Sequence, residues 1–192
     1  MIDATVLVTP YWLCDMLPRL TRIERPTEAP DTTGRPFDAI ALGAAFEREA
    51  PILLAAARAI TLDDAEAQDL VQVTFELALR NVAALRDPRS LRPWLLTIQA
   101  REAFRVRRRL RRLVRIDVAS APVTVLGTSA ESVAIREALG KLSARVRAAV
   151  VLHHMAGLSV AEVAAAMGTS ENTVKSQLKI GLARLREDLG DD

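Results

Sequence analysis

Between Ser159 and Leu178 the chain has a spacing that leaves room for little except two short helices joined at a tight turn. Ser159 stands three residues before Glu162, the reciprocal pair of a capping box that opens a helix. Gly168 supplies the left-handed backbone position that ends it, and Ser170 is placed to cap a second helix. On that spacing Val163, Ala164, Met167, Val174 and Leu178 face one another across the turn, while Asn172, Lys175, Ser176 and Lys179 fall on the outward face of the second helix. Side chains of those types reach base edges and phosphates, so the spacing predicts a helix-turn-helix with duplex DNA as its first expected partner. An ordinary helical hairpin needs the same cap, glycine and apolar spacing, and is the competing reading.

The remainder of the chain is expected to be helical too. Its 192 residues are half hydrophobic, enough for one large domain or two small ones. Aromatic residues make up only 4%, and alternating β-branched runs are nearly absent, whereas Ala, Leu, Arg and Glu dominate the periodic stretches. The fold class read from this is all-α. The lone Cys14 has no partner for an internal disulfide, and His153 and His154 lack a Cys or acidic partner at metal spacing. A reducing, cytoplasmic setting with no metal and no cofactor is expected. The opening Met1 to Leu13 is apolar but short and carries Asp3 where a leader needs positive charge. No later stretch approaches the roughly 20 apolar residues of a membrane span. With no glycine-rich phosphate loop and no nucleophile, base and acid in a plausible frame, the chain is not expected to be an enzyme.

Charge is segregated along the sequence. Residues 46–85 hold seven acids against three bases, and residues 86–115 hold eleven arginines against two acids. Arg101, Arg105, Arg107, Arg108, Arg109, Arg111, Arg112 and Arg115 fall on what reads as one continuous helix, a phosphate-binding element by its charge. A solvated basic face, or an arm for an acidic partner protein, remains the alternative.

Four regions follow. Residues 1–37 form an N-terminal extension whose end, Glu24 to Pro36, is a linker rich in prolines and turn formers. Residues 38–115 form a first small helical domain, 116–129 a flexible connector containing Pro122 and Gly127, and 130–192 a second helical domain. Within the first domain Ile40, Leu42, Phe46, Ile52, Leu53 and Ala56 suit a helix bent at Pro51. Asp63 with Glu66 starts another that runs to about Asn81, and Asp87 caps a third with Pro88 in its first turn. Leu91, Trp94, Leu95 and Ile98 are its expected buried stripe. His153 and His154, near a helix end before Gly157, are expected to interact with the dipole as partly charged imidazoles.

An acidic helical domain containing Asp69 to Phe75, then Trp94 and Leu95 leading into arginines, a connector, and a terminal helix-turn-helix with Thr173, Val174, Lys175 and Ser176 resembles one known arrangement. It is that of bacterial RNA polymerase sigma factors of the extracytoplasmic-function group, in the sigma-70 family. The resemblance covers about residues 40–190 and rests on the order and separation of the motifs. It implies that 38–115 correspond to sigma region 2 and 130–192 to region 4, and that the protein directs promoter recognition and melting. Asp69, Leu70, Gln72 and Phe75 match the helix that docks on the clamp of the polymerase's largest subunit; Glu76 shares a polar face with Asp69 and Gln72 by helical spacing. Arg101, Arg105, Arg107, Arg108 and Arg109 would engage the melted start-proximal, minus-ten element, with Asn81 to Ser90 as the loop that receives an unstacked base. Asn172, Thr173, Lys175, Ser176, Gln177 and Lys179 would read the upstream, minus-35 element. Arg101 and Arg105 stand where the family commonly has Asn and Asp; Gln177 replaces a frequent Arg, and Ile180 and Leu182 occupy positions that are often basic. Promoter DNA, core polymerase and an anti-sigma protein are the implied partners. Residues 1–36 lie outside the resemblance; the readings left open are an arm docking through Leu7, Tyr11, Trp12 and Leu17, a disordered segment, or a misassigned start codon. Two rival classes stand beside this one: a helix-turn-helix regulator acting without stable polymerase binding, and a helical adaptor whose arginines bind an acidic protein.

Overall fold

The computed structural model describes residues 39–113 and 130–190. The N-terminal extension, the candidate docking residues Leu7, Tyr11, Trp12 and Leu17, Cys14 and the connector 116–129 lie outside them. Among the described residues there is no strand, and every element is helical.

Helix α1 (Ala39–Thr61) runs through Pro51, whose side is exposed, so the carbonyl deprived of its N–H partner there lies toward water. Its core face is Leu42, Phe46, Ile52, Leu53 and Ala56, as the periodicity predicts. Beyond its last turn Leu62 takes a left-handed φ of 65°, which reverses the chain. Asp63 then caps α2 (Asp64–Arg80) by accepting from the Glu66 N–H at 2.8 Å. Asp87 accepts from the Arg89 N–H at 2.9 Å, and a short 3₁₀ turn, Pro88–Ser90, leads into α3 (Leu91–Leu113).

The buried side of α3 is wider than the predicted stripe. Leu91 and Leu95 are buried, and so are Leu96, Gln99 and Ala100, whereas Trp94 and Ile98 only lean against the core. A helix packed on α1 and α2 along one side and on a C-terminal helix along the other buries more than one stripe. Gln99, fully buried, donates from Nε2 to the Leu53 carbonyl at 3.0 Å and so ties α3 to α1.

The C-terminal half comprises α4 (Ala130–Lys141), α5 (Ala144–Val150), a π-helical turn (Val151–Met155), α6 (Val160–Met167) and α7 (Glu171–Leu189). It does not form a separate core. One apolar cluster extends from Leu42 and Leu53 through Leu95 to Leu139, Leu152, Val174 and Leu185, with α1 against α5 and the π-helical turn, and α3 against α6. Two helical units are present, and they share their interior.

Candidate nucleic-acid and polymerase-binding surfaces

The helix-turn-helix forms as its local signals dictate. Ser159 Oγ accepts from the Glu162 N–H at 3.2 Å and the Glu162 carboxylate accepts from the Ser159 N–H at 2.8 Å, a complete capping box. Gly168 ends α6 at φ 61°, ψ 46°, and Thr169 N–H reaches back to the Ala164 carbonyl at 3.0 Å. Ser170 Oγ accepts from the Thr173 N–H at 3.2 Å to open α7. Val163, Ala164, Met167, Val174 and Leu178 are all buried, so the two helices meet through the predicted residues.

On the outer side of α7, Asn172, Thr173, Lys175, Ser176 and Lys179 are exposed. The Thr173 hydroxyl is held by Ser170 Oγ at 2.8 Å, while Gln177 is half-buried and its Oε1 has no hydrogen-bond partner. The opposite side of α7 approaches α5 so closely that only glycine fits at 181: a Cβ there would stand 2.5 Å from Val150 Cγ2.

The arginines of α3 differ in what they touch. Arg107 and Arg108 are exposed, whereas Arg105 holds the buried Glu102 carboxylate with contacts of 2.7 and 2.6 Å. Arg101 crosses to the helix-turn-helix, its Nη2 donating to the Ala165 carbonyl of α6 at 3.3 Å. Arg109 lies in the helix, with a side chain outside the described ones. On α2, Asp69, Gln72 and Glu76 form one exposed polar face, with Gln72 donating to Glu76 at a long 3.4 Å. Leu70 is turned into the core at 6% exposure, and Phe75 packs on Phe46 with ring centroids 4.7 Å apart. Those two side chains therefore shape α2 from beneath rather than standing on its free face.

One buried charge escaped the sequence reading, and one expectation for a histidine is overturned. Arg147, 3% exposed, donates to the carbonyls of Ile60 at 3.0 Å, Leu142 at 3.2 Å and Leu139 at 3.4 Å. Burial, and secondarily the charge of Arg107, lowers its pKa to about 10. The available signal was an arginine set inside the apolar run Val146 to Leu152. His153 Nδ1 lies 2.6 Å from the Leu158 carbonyl, but both ring nitrogens of His154 are buried without a partner. Desolvation, then the neighbouring His153, lowers the His154 pKa to about 4. His154 is neutral near pH 7, so the expected imidazolium–dipole interaction is absent there; the π-helical turn buries the ring instead.

Among the described residues no group of three His, Cys, Asp or Glu could hold a metal ion, and no helix is long and apolar enough to cross a membrane.

Residues 45–113 match the family model of sigma-70 region 2, and residues 132–185 match that of sigma-70 region 4. The chain is 34% identical over 143 residues to the RNA polymerase sigma-E factor of Streptomyces coelicolor, covering 71% of this chain and 79% of that protein. It is 31% identical over 157 residues to the ECF RNA polymerase sigma factor SigL of Mycobacterium tuberculosis, covering 78% and 89%. Among solved structures, the sigma factor RpoE in complex with the anti-sigma factor NepR from Bartonella quintana aligns with a TM-score of 0.59 and 29% identity, over 77% of this chain and 98% of that one. CnrH in complex with the cytosolic domain of CnrY shares the fold, with a TM-score of 0.59 at 24% identity over 92% and 96%.

Proposed function

The chain belongs to the extracytoplasmic-function group of the sigma-70 family and is an alternative sigma factor directing transcription initiation, and we propose that it does so by docking α2 on core RNA polymerase while α3 and α7 engage promoter DNA. The observation that carries this reading is the separation of three chemically distinct faces onto three helices. Asp69, Gln72 and Glu76 are the polar contacts of the polymerase-facing helix, seated by Leu70 and Phe75. Arg101, Arg105, Arg107, Arg108 and Arg109 attract the separated strand near the start site, and residues 81–90 receive a base from it. Asn172, Ser176 and Gln177 read base edges of the upstream element, while Thr173, Lys175 and Lys179 hold its backbone.

On this reading residues 38–115 act at the polymerase and the minus-ten element, 116–129 connect, 130–192 act at the minus-35 element, and 1–37 are an added extension. The protein works in the cytoplasm by binding, and the polymerase performs the chemistry. Binding energy for the unpaired strand favours the open complex. An anti-sigma partner is part of the proposal, since the RpoE relative is seen with its anti-sigma factor NepR. A sensing or dimerisation role for 38–115 is not favoured, because 45–113 match sigma-70 region 2.

Affinity of the full chain for core polymerase, compared with that of an Asp69→Arg, Gln72→Ala double variant, tests the docking face. A loss of tenfold or more is expected. Equal affinities would remove α2 from the polymerase interface.

A further inference from the structure

Three large apolar side chains stand exposed among the described residues: Leu79 on α2, Val106 on α3 and Ile180 on α7, the last the most open at 47%. A single exposed isoleucine is ordinary on a protein surface, but the position of this one is not. At about 100° per residue, Ser176 and Ala183 lie nearly opposite the buried line of Val174, Leu178 and Leu185, and Ile180 stands roughly 50° to their side. Lys175 and Lys179 run along one flank of that strip and Arg184 along the other, all three exposed. Cations on both flanks suit the two phosphate backbones that border a major groove, and the neutral strip between them then faces the base edges. Ile180 is held stiffly there. A β-branched side chain on a helix has essentially one χ1 rotamer, and Gly181 beside it seats α7 on α5 with no room for a Cβ. Its side chain has no donor or acceptor, so hydrogen bonding to a base edge is closed to it.

We propose that Ile180 is a specificity-determining residue that recognises the 5-methyl group of a pyrimidine in the upstream element. This rests on the reading above that α7 enters that element. In the major groove an unmodified base pair presents one apolar group, the thymine methyl, and 5-methylcytosine carries the same group at the same ring position. Ile180 therefore distinguishes a pyrimidine by its methyl rather than by its hydrogen-bonding edge. It lies eight residues beyond Asn172, about 12 Å along the helix axis, so its pyrimidine is roughly three to four base pairs from the pair that Asn172 reads. Removing one methyl from water changes affinity about fourfold. Methylation of a cytosine at that position raises affinity by the same factor, which makes promoter choice responsive to a DNA modification.

The test uses holoenzyme reconstituted from the full chain and core RNA polymerase, and a duplex pool with a randomised upstream stretch ahead of a fixed start-proximal segment. Sequences enriched by the wild type should share a thymine at one position; Ile180→Ala should lose that preference alone and keep the one set by Asn172. On the enriched duplex, deoxyuridine in place of that thymidine removes the methyl and keeps every hydrogen-bonding atom. It should weaken binding by the wild type about fourfold and leave Ile180→Ala unchanged, while Ile180→Val, still branched and apolar, should retain most of the penalty. At the same position 5-methyldeoxycytidine should bind the wild type about fourfold more tightly than deoxycytidine. An equal uracil penalty in wild type and Ile180→Ala, or no penalty at any thymine, would overturn the methyl reading. The selection is repeated with the free chain to separate the two claims. Enrichment by the free chain but not by holoenzyme would sink the sigma reading, and the uracil comparison is then decided on the free chain; enrichment by neither would overturn base reading by α7, and Ile180 with it.

Discussion

Replacing Gly181 with alanine sets two effects of known sign against each other. Glycine inside a helix is worse than alanine by about 1 kcal/mol, so on propensity alone the change stabilises α7. The new Cβ, however, would lie 2.5 Å from Val150 Cγ2 and 3.0 Å from Val146 Cγ1, against an ordinary carbon contact of about 3.5–4.0 Å. Both valines are buried, at 4% and 8% exposure, and a β-branched side chain on a helix has essentially one rotamer. The strain therefore falls on the helices, and α7 must withdraw from α5 by about 1 Å. Overpacking of this kind costs about 1–3 kcal/mol. With two stiff methyls at the contact the upper part of that range applies, leaving a net loss of roughly 1–2 kcal/mol. Urea unfolding of the full chain should show the midpoint falling by about 0.5–1 M at an unchanged slope near 2 kcal/mol/M. Val150→Ala removes the nearer methyl, so in the Gly181→Ala background it should cost much less than it does alone. A midpoint that stays or rises in Gly181→Ala would refute the close seating of α7 on α5.

Two further outcomes concern His154 and the exposed side of α7. The folded His154 pKa of about 4 lies below its ordinary value of 6.5, so its neutral form contributes stability that is intact above pH 6.5 and is lost as pH falls through 4. The full shift is worth about 3 kcal/mol, and solvent screening of a partly buried ring reduces this to roughly 1–2 kcal/mol; His154→Leu should flatten the fall in urea midpoint between pH 7 and pH 4, and an unchanged slope would show that His154 is not its source. Lys175→Ala in reconstituted holoenzyme should weaken promoter binding evenly across sequences and lower the salt slope by about one, whereas Asn172→Ala should relax preference at a single base pair by about 1–3 kcal/mol; identical behaviour of the two variants would contradict their separate roles.

What could be read from the sequence was local. The capping box at Ser159, the left-handed Gly168 and the caps at Ser170 and Asp63 each act within four residues, and each stands where the spacing placed it, whereas Asp87 caps the 3₁₀ turn Pro88–Ser90 rather than α3 itself, which begins at Leu91. The faces of α2 and α7 were legible for the same reason, since helical periodicity alone sorts Asp69 from Leu70 and Lys175 from Val174. What escaped depends on partners distant in sequence. Leu96, Gln99 and Ala100 are buried because α3 lies between two sets of helices, and periodicity could reveal only the single stripe of a helix packed on one side. Arg101 reads as a free cation until α6 is placed beside it, and Arg147 finds its three carbonyls at the ends of two helices, 5 to 87 residues away along the chain. The π-helical turn at Val151–Met155, which buries His154, has no distinct composition of its own.

As a sigma factor, this chain gives core polymerase its promoter specificity. Run-off transcription with core RNA polymerase on a genomic promoter pool, with and without the protein, measures it directly. Discrete promoter-specific transcripts should appear with the wild-type chain and vanish with the Asp69→Arg, Gln72→Ala variant. Absence of transcripts, together with specific binding to duplex DNA by the protein alone, would contradict it.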